Sequence, residues 1–207
     1  SETPECLFHA LEQSGNWCLR SGWDRNADYL HFKCGSLGGG HGHFDKLHVD
    51  LSIAGEDVLI DSGRYTYVDG SLRRQLKSSC AHNVPVVDWQ EYTQCTGSWD
   101  VKGRTAPAGQ DWSQKGPYTF LQGTHLGYLP AGVLVNRRII SIGTRIHVIA
   151  DEFYGTGTHV LSQVFHLNPA GSVEMREDAE FELETCRRTV LEQFKKETLD
   201  DLGMEGQ

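Results

Sequence analysis

The sequence predicts an all-β fold, a sandwich or a barrel built from many short strands. Three observations carry that prediction. Short apolar runs recur along most of the chain, bounded by Gly, Pro, Asn, Asp and Ser. Some of them alternate apolar and polar residues with the period of two that a half-buried strand requires. Glycine is abundant, with 23 in 207 residues, as many turns demand. A hydrophobic fraction of 38% supports a real core. One domain is the simpler reading, because no internal repeat or low-complexity block divides the chain.

The opening stretch, SETPECLFHALEQSG, reads as a linker or a cut end over residues 1–14, with a short helical turn allowed at 7–13. Strands are expected at Asn16 to Arg20 and Tyr29 to Cys34, separated by the turn-rich GWDRNAD. Leu47, Val49, Leu51 and Ile53 alternate with His48, Asp50 and Ser52, a half-buried strand. Ala54, Gly55 and Glu56 make a turn, and Val58 to Asp61 runs back, completing a hairpin. Val84 to Asp88 is another short strand. Residues 96–117, rich in Gly, Ser, Asp and Pro, read as loop. Strands follow at Tyr118 to Gln122, Val133 to Ser141, Arg145 to Asp151 and His159 to Leu167, with SIGTR as a tight turn. Phe181 and Leu183 alternate with glutamates as one more strand. The domain is expected to span 15–186, leaving 187–207 as a helix or tail.

Charge and cysteine content exclude some functions. The net charge of −9 argues against nucleic-acid binding. It leaves room for an acidic polysaccharide, because a local basic patch can act within a negative molecule. No apolar run reaches the ~18 residues of a membrane-spanning helix, and the start shows no signal-peptide pattern. The six cysteines form no CxxC pair, so a thiolate zinc site is not expected and reduced thiols are.

The chemistry concentrates in His41, Gly42, His43, Phe44 and Asp45, directly behind Gly38, Gly39 and Gly40. An extended backbone would turn His41, His43 and Asp45 to one side. If the strands pair as described, His43, Asp61 and His82 face one point from three separate elements. Two imidazoles and a carboxylate are a common zinc set. Two other readings use the same residues. One is a hydrogen-bonded His–Asp pair. The other joins His43, Asp45 and His82 as the two-His-one-carboxylate set of a non-haem iron oxygenase, with Arg104 or Arg137 as the anchor for an oxoacid. His125, His147, His159 and His166 read as core or surface histidines. The five tryptophans read mainly as packing residues that can also stack on sugars. Arg73, Arg74 and Lys77 form a small basic stretch, a solvated turn by default and a candidate carboxylate holder.

The residues WCLRSGWDRNADYLHFKCG, then GGGHGHFDKLHVDLSIAGEDVLIDSGRYTY, then RRQLKSSCAHNVPVVD resemble the C-terminal β-sandwich domain of the heparinase II/III-like polysaccharide lyases. VNRRIISIGTRIHVIADEFYGTGTHVLSQVFHLNP fits the same domain, so the resemblance covers about residues 15–170. It implies a multi-stranded antiparallel sandwich with a divalent metal, usually zinc, on His43, Asp61 and His82. Asp45 and Asn83 would then support the ligands. Ser62 stands where the family often has proline, and Gln75, Leu76 and Lys77 where it often has an aromatic and an arginine.

The resemblance also implies β-elimination on a uronic-acid polysaccharide of glycosaminoglycan or alginate type. His41 would neutralise the substrate carboxylate or move a proton. Tyr67 would approach the leaving oxygen, ahead of Tyr65. The metal would be mainly structural. Such lyases carry an α-helical toroid before the sandwich, which residues 1–14 cannot supply. The chain is therefore expected to be an isolated C-terminal domain, inactive by itself. A metal-stabilised sugar-binding or interdomain module without turnover is the rival. The family favours a periplasmic or secreted setting and leaves a cytoplasmic one open.

Overall fold

The computed structural model describes residues 4–171. All but the last two belong to one compact unit that ends at Pro169. The architecture is all-β and antiparallel, with one short α-helix among the described residues. The first sheet is a five-stranded meander of β1 (Phe8–Leu11), β2 (Asn16–Arg20), β3 (Tyr29–Lys33), β4 (His48–Ile53) and β5 (Glu56–Leu59), in that spatial order. The helix α1 (Ser71–Lys77) and β6 (Pro85–Val87) follow, with β7 (Gln94–Cys95) paired to β8 (Val101–Lys102). The second sheet is another meander: β9 (Pro107–Lys115), β10 (Tyr118–His125), β11 (Val133–Ile142) and β12 (Ile146–Gly155). A last strand, β13 (Leu161–Gln163), pairs with β6.

Alternation places the core between the sheets. Trp17, Leu19, Leu30, Phe32 and Val49 from the first sheet pack with Leu121, Val133, Val135 and Ile139 from the second in one buried cluster. The sandwich is thus a double layer closed by apolar faces. The hairpin between β4 and β5 turns on Ala54 (φ 53°) and Gly55 (φ 80°), two successive left-handed residues that match the twist of the strands they join. Asp28 steadies that turn by accepting the Ala54 N–H at 2.7 Å.

Several expectations change. Residues 8–11 form an edge strand paired to β2, not part of a linker, and the helical turn shrinks to a 3₁₀ turn at Glu12–Ser14. Residues 107–115 form a nine-residue strand, not a loop. Its exposed, polar composition gives no apolar alternation, because it is an edge strand held by its ladder to β10. The strand expected over 159–167 covers only Leu161–Gln163. The strand around Phe181, the boundary at 186 and the helix or tail over 187–207 lie outside the described residues.

One buried ion pair connects the sandwich to the loops above it. Arg137, on β11, donates from Nε and Nη2 to the two oxygens of Asp151, both at 2.7 Å. Its Nη1 reaches the carbonyls of Leu47 (2.8 Å) and Asn83 (2.6 Å). Four of its five N–H donors are spent on these buried structural contacts, so Arg137 is not free to anchor an oxoacid.

Candidate active site and metal centre

The site sits where three connections meet: residues 34–47 between β3 and β4, residues 60–70 after β5, and residues 78–84 before β6. The HGHFD segment is a loop here, not a strand. Gly42 donates its N–H to the Gly39 carbonyl at 3.0 Å, and a Cβ at Gly42 would run into the Leu37 carbonyl. The tight turn this imposes sends its side chains apart: His41 is exposed, His43 half-buried and Asp45 buried.

His43, Asp61 and His82 come together, with one ligand atom of each within 4.8 Å of the others. His82 donates from Nδ1 to Asp61 Oδ2 at 2.9 Å, and its fully buried Nε2 has no hydrogen-bond partner. The rings of His43 and His82 lie 5.1 Å apart. Burial pushes the His43 imidazole down to about 4, and His82 adds to this against the pull of Asp45 and Asp61, so His43 is neutral near pH 7. Burial alone would raise the Asp61 carboxyl. The hydrogen bond and charge of His82, with the Gly63 N–H and His48, outweigh it and hold the group at about 2. An orphaned imidazole nitrogen on His82, the neutral imidazole of His43 and the ionised carboxylate of Asp61, from three connections, fit a divalent metal of the zinc type.

Asp45 does not join this set. Its Oδ2 takes the Lys33 ammonium at 2.6 Å, which removes the iron-type triad of His43, Asp45 and His82. It also removes Asp45 as the group that orients an imidazole. A different pair of imidazoles is held by Asp50, whose Oδ1 accepts from His48 Nε2 at 2.8 Å and whose Oδ2 pairs with His31 Nδ1 at 3.1 Å. Burial would raise the Asp50 carboxyl, but these two hydrogen bonds hold it well below the usual range. His48 Nδ1 accepts the Asn83 N–H at 3.0 Å, so its proton sits on Nε2, which lies 3.7 Å from Asp61. The alternation of β4 carried the signal for this missed pair, since His48 and Asp50 share one face. The Asn83 side chain ties the backbone of Val49, Ile60 and His166 together.

The second cluster faces outward. His41 Nδ1 meets the Tyr67 hydroxyl at 3.0 Å. Trp99 stacks on Tyr67 at 5.0 Å and meets the His41 ring edge-on at 5.1 Å. Tyr65 is 79% exposed and stands apart from these contacts. Sequence gives Trp99 no distinction from the other tryptophans; the fold brings it beside His41. The basic stretch is not a solvated turn: Arg73 and Lys77 are buried, and only Arg74 points out, to Asp69. His125, His147, His159 and His166 each have a hydrogen-bond partner and join no ligand cluster among the described residues. The five described cysteines are free.

The model of the heparinase II/III-like C-terminal domain matches residues 4–199. The chain belongs to that family. A heparin-sulfate lyase of Pedobacter heparinus is 29% identical over 93 residues, 43% of this chain and 14% of the lyase. Among solved structures, the sandwich resembles a heparan sulfate lyase of Pedobacter heparinus (TM-score 0.68, 23% identity, 81% of this chain and 25% of that one). A heparinase III, the BT4657 gene product, gives a TM-score of 0.70 at 18% identity, covering 84% of this chain and 26% of its own. These likenesses show the fold. The chain spans about a quarter of the solved relatives and a seventh of the curated one.

Proposed function

We propose that this heparinase II/III-like domain forms one wall of a lyase site that cleaves an acidic, uronate-containing polysaccharide by β-elimination. The observation that carries the reading is the exposed His41–Tyr67 pair, 3.0 Å apart, set against Trp99 and next to the His43, Asp61 and His82 cluster. In the step envisaged, a base takes the proton at C5. The C–H electron pair becomes the C4–C5 double bond, and the C4–oxygen bond breaks with protonation of the leaving oxygen. Both groups of this hydrogen-bonded pair can carry a proton, as that exchange requires. His41 is suited to the developing charge on the substrate carboxylate, and Tyr67 to the leaving oxygen. Trp99 offers a flat apolar face on which a sugar ring can stack.

A divalent metal, zinc by its donor set, would be held by His43, Asp61 and His82. Its contribution when bound would be to pin three connections beside the cleft. The remaining groups are assigned to a helical domain elsewhere in the full-length protein. The rival reading, a sugar-binding or interdomain module without turnover, draws on the same aromatic surface. Full-length protein given heparan sulfate, heparin and alginate separates the two, through the ultraviolet absorbance of the new double bond. Turnover on one of them, lost in Y67F and H41A at unchanged folding, is expected. Absence of product from every uronate with metal loaded sinks the lyase reading.

A further inference from the structure

Arg73 holds three buried nitrogens, Nε, Nη1 and Nη2, and none has a hydrogen-bond partner. The residue is fully buried. A guanidinium stays charged and offers five N–H donors, so an unmatched one in the interior is a costly arrangement. Its contact with the Tyr67 ring, 5.5 Å from the ring centre, offsets only part of that cost.

The neighbours sharpen the imbalance. Lys77, one turn along α1, is buried too, and its ammonium meets only the carbonyls of Gly40 (2.9 Å) and Ser98 (3.4 Å). Arg64 lies 3.9 Å over the same Tyr67 ring. Three cations therefore gather behind and beside the His41–Tyr67–Trp99 face of a chain whose net charge is −9. None of the three makes an ion pair among the described residues. The nearby Asp69 is taken by Arg74 at 2.6 Å.

We propose that Arg73 is an anion receptor, and that an acidic group of the ligand, carboxylate or sulfate, satisfies its guanidinium. The identity of the ligand rests on the lyase reading; the need for an anion rests on Arg73 itself. Access requires Tyr67 to move. The stretch carrying it, residues 64–69, has no regular structure and lies between Gly63 and Gly70, where an added Cβ would meet nothing within 4 Å. It is tied down by the His41–Tyr67 hydrogen bond and the Asp69–Arg74 pair, both exposed to solvent. Exposed pairs of this kind break at little cost.

The experiment measures binding of two size-defined oligosaccharides to full-length protein by tryptophan fluorescence. One is heparin with its carboxyls reduced, the other its fully desulfated counterpart. Loss of one partner from a charge-assisted contact weakens binding roughly 10- to 100-fold. R73Q is expected to show that loss for one oligosaccharide at a melting temperature no lower than that of the wild type, with R73K recovering part of it. The oligosaccharide affected tells sulfate from carboxylate. In isotope-labelled wild type, the Arg73 Nε–H resonance is expected to shift on saturation, a readout that needs no folded variant. Unchanged affinity of R73Q for both, or an Nε–H signal that stays in place, overturns the proposal. A wild type that binds through Arg73 but turns over no uronate overturns the lyase reading alone.

Discussion

Replacing Asn83 by alanine tests how the site is held. The Asn83 side chain is fully buried and makes three hydrogen bonds. Nδ2 donates to Val49 (2.8 Å) and to Ile60 (3.1 Å), and Oδ1 accepts the His166 N–H (2.6 Å). These ties join β4, the residue before Asp61 and the segment after β13. Alanine removes all three and leaves three backbone groups short of a partner. At about 1–1.5 kcal/mol per bond the loss is about 3–5 kcal/mol. For a domain of this size that lowers the melting temperature by roughly 10 °C. Denaturant and thermal unfolding, followed by circular dichroism in chelator so that metal linkage does not contribute, measure it. A variant within about 1 kcal/mol of wild type would refute the view that these bonds assemble the site.

Three further outcomes follow from the same geometry. Metal analysis should find zinc in the wild type and a loss of it in H43A, D61N and H82A, and zinc at a hundredfold over its dissociation constant should add about 2.7 kcal/mol of stability. Stability indifferent to both chelator and zinc would count against the cluster as a metal centre. Burial pushes His125 down to about 3, with Lys46 adding to it, so the unfolded chain binds this proton first. Its stabilising share is complete above about pH 6.5 and falls by about 1.4 kcal/mol per unit as the pH drops towards 3. H125N, whose side-chain oxygen can take over the Gly127 N–H, should flatten that acid slope in unfolding measured from pH 7 to 4. R137A should cost about 3–5 kcal/mol in denaturant titrations, because it strands the buried Asp151; a cost near zero would show the pair to be dispensable.

How much of this was legible in the sequence differs by element. The strands of the first sheet after its edge strand β1 were readable because Val49 and Leu51 alternate with His48 and Asp50, and one-sided burial writes a period of two. The edge strand at 107–115 was not, since a strand that buries little carries no such pattern. The three side chains His43, Asp61 and His82, which the fold brings within 4.8 Å of one another, were readable as a set. Two pairings were not readable, because Asp45 lies near His43 in sequence but takes Lys33 in space, and Asp50 holds His48 and His31.

The sequence by itself determined an all-β domain of this family and the set of His43, Asp61 and His82. Strand periodicity is local, and the motifs lie in a recognisable order. Only the tertiary structure decided the rest. The bend at Gly42 parts His41 from His43 and sends the one outward and the other inward. The return of α1 beneath the loop buries Arg73 and Lys77, which a linear reading leaves in water. Pairing Tyr67 with His41 and Trp99 spans 26 and 32 residues of chain, and such contacts form only when sheet packing has fixed where each connection ends.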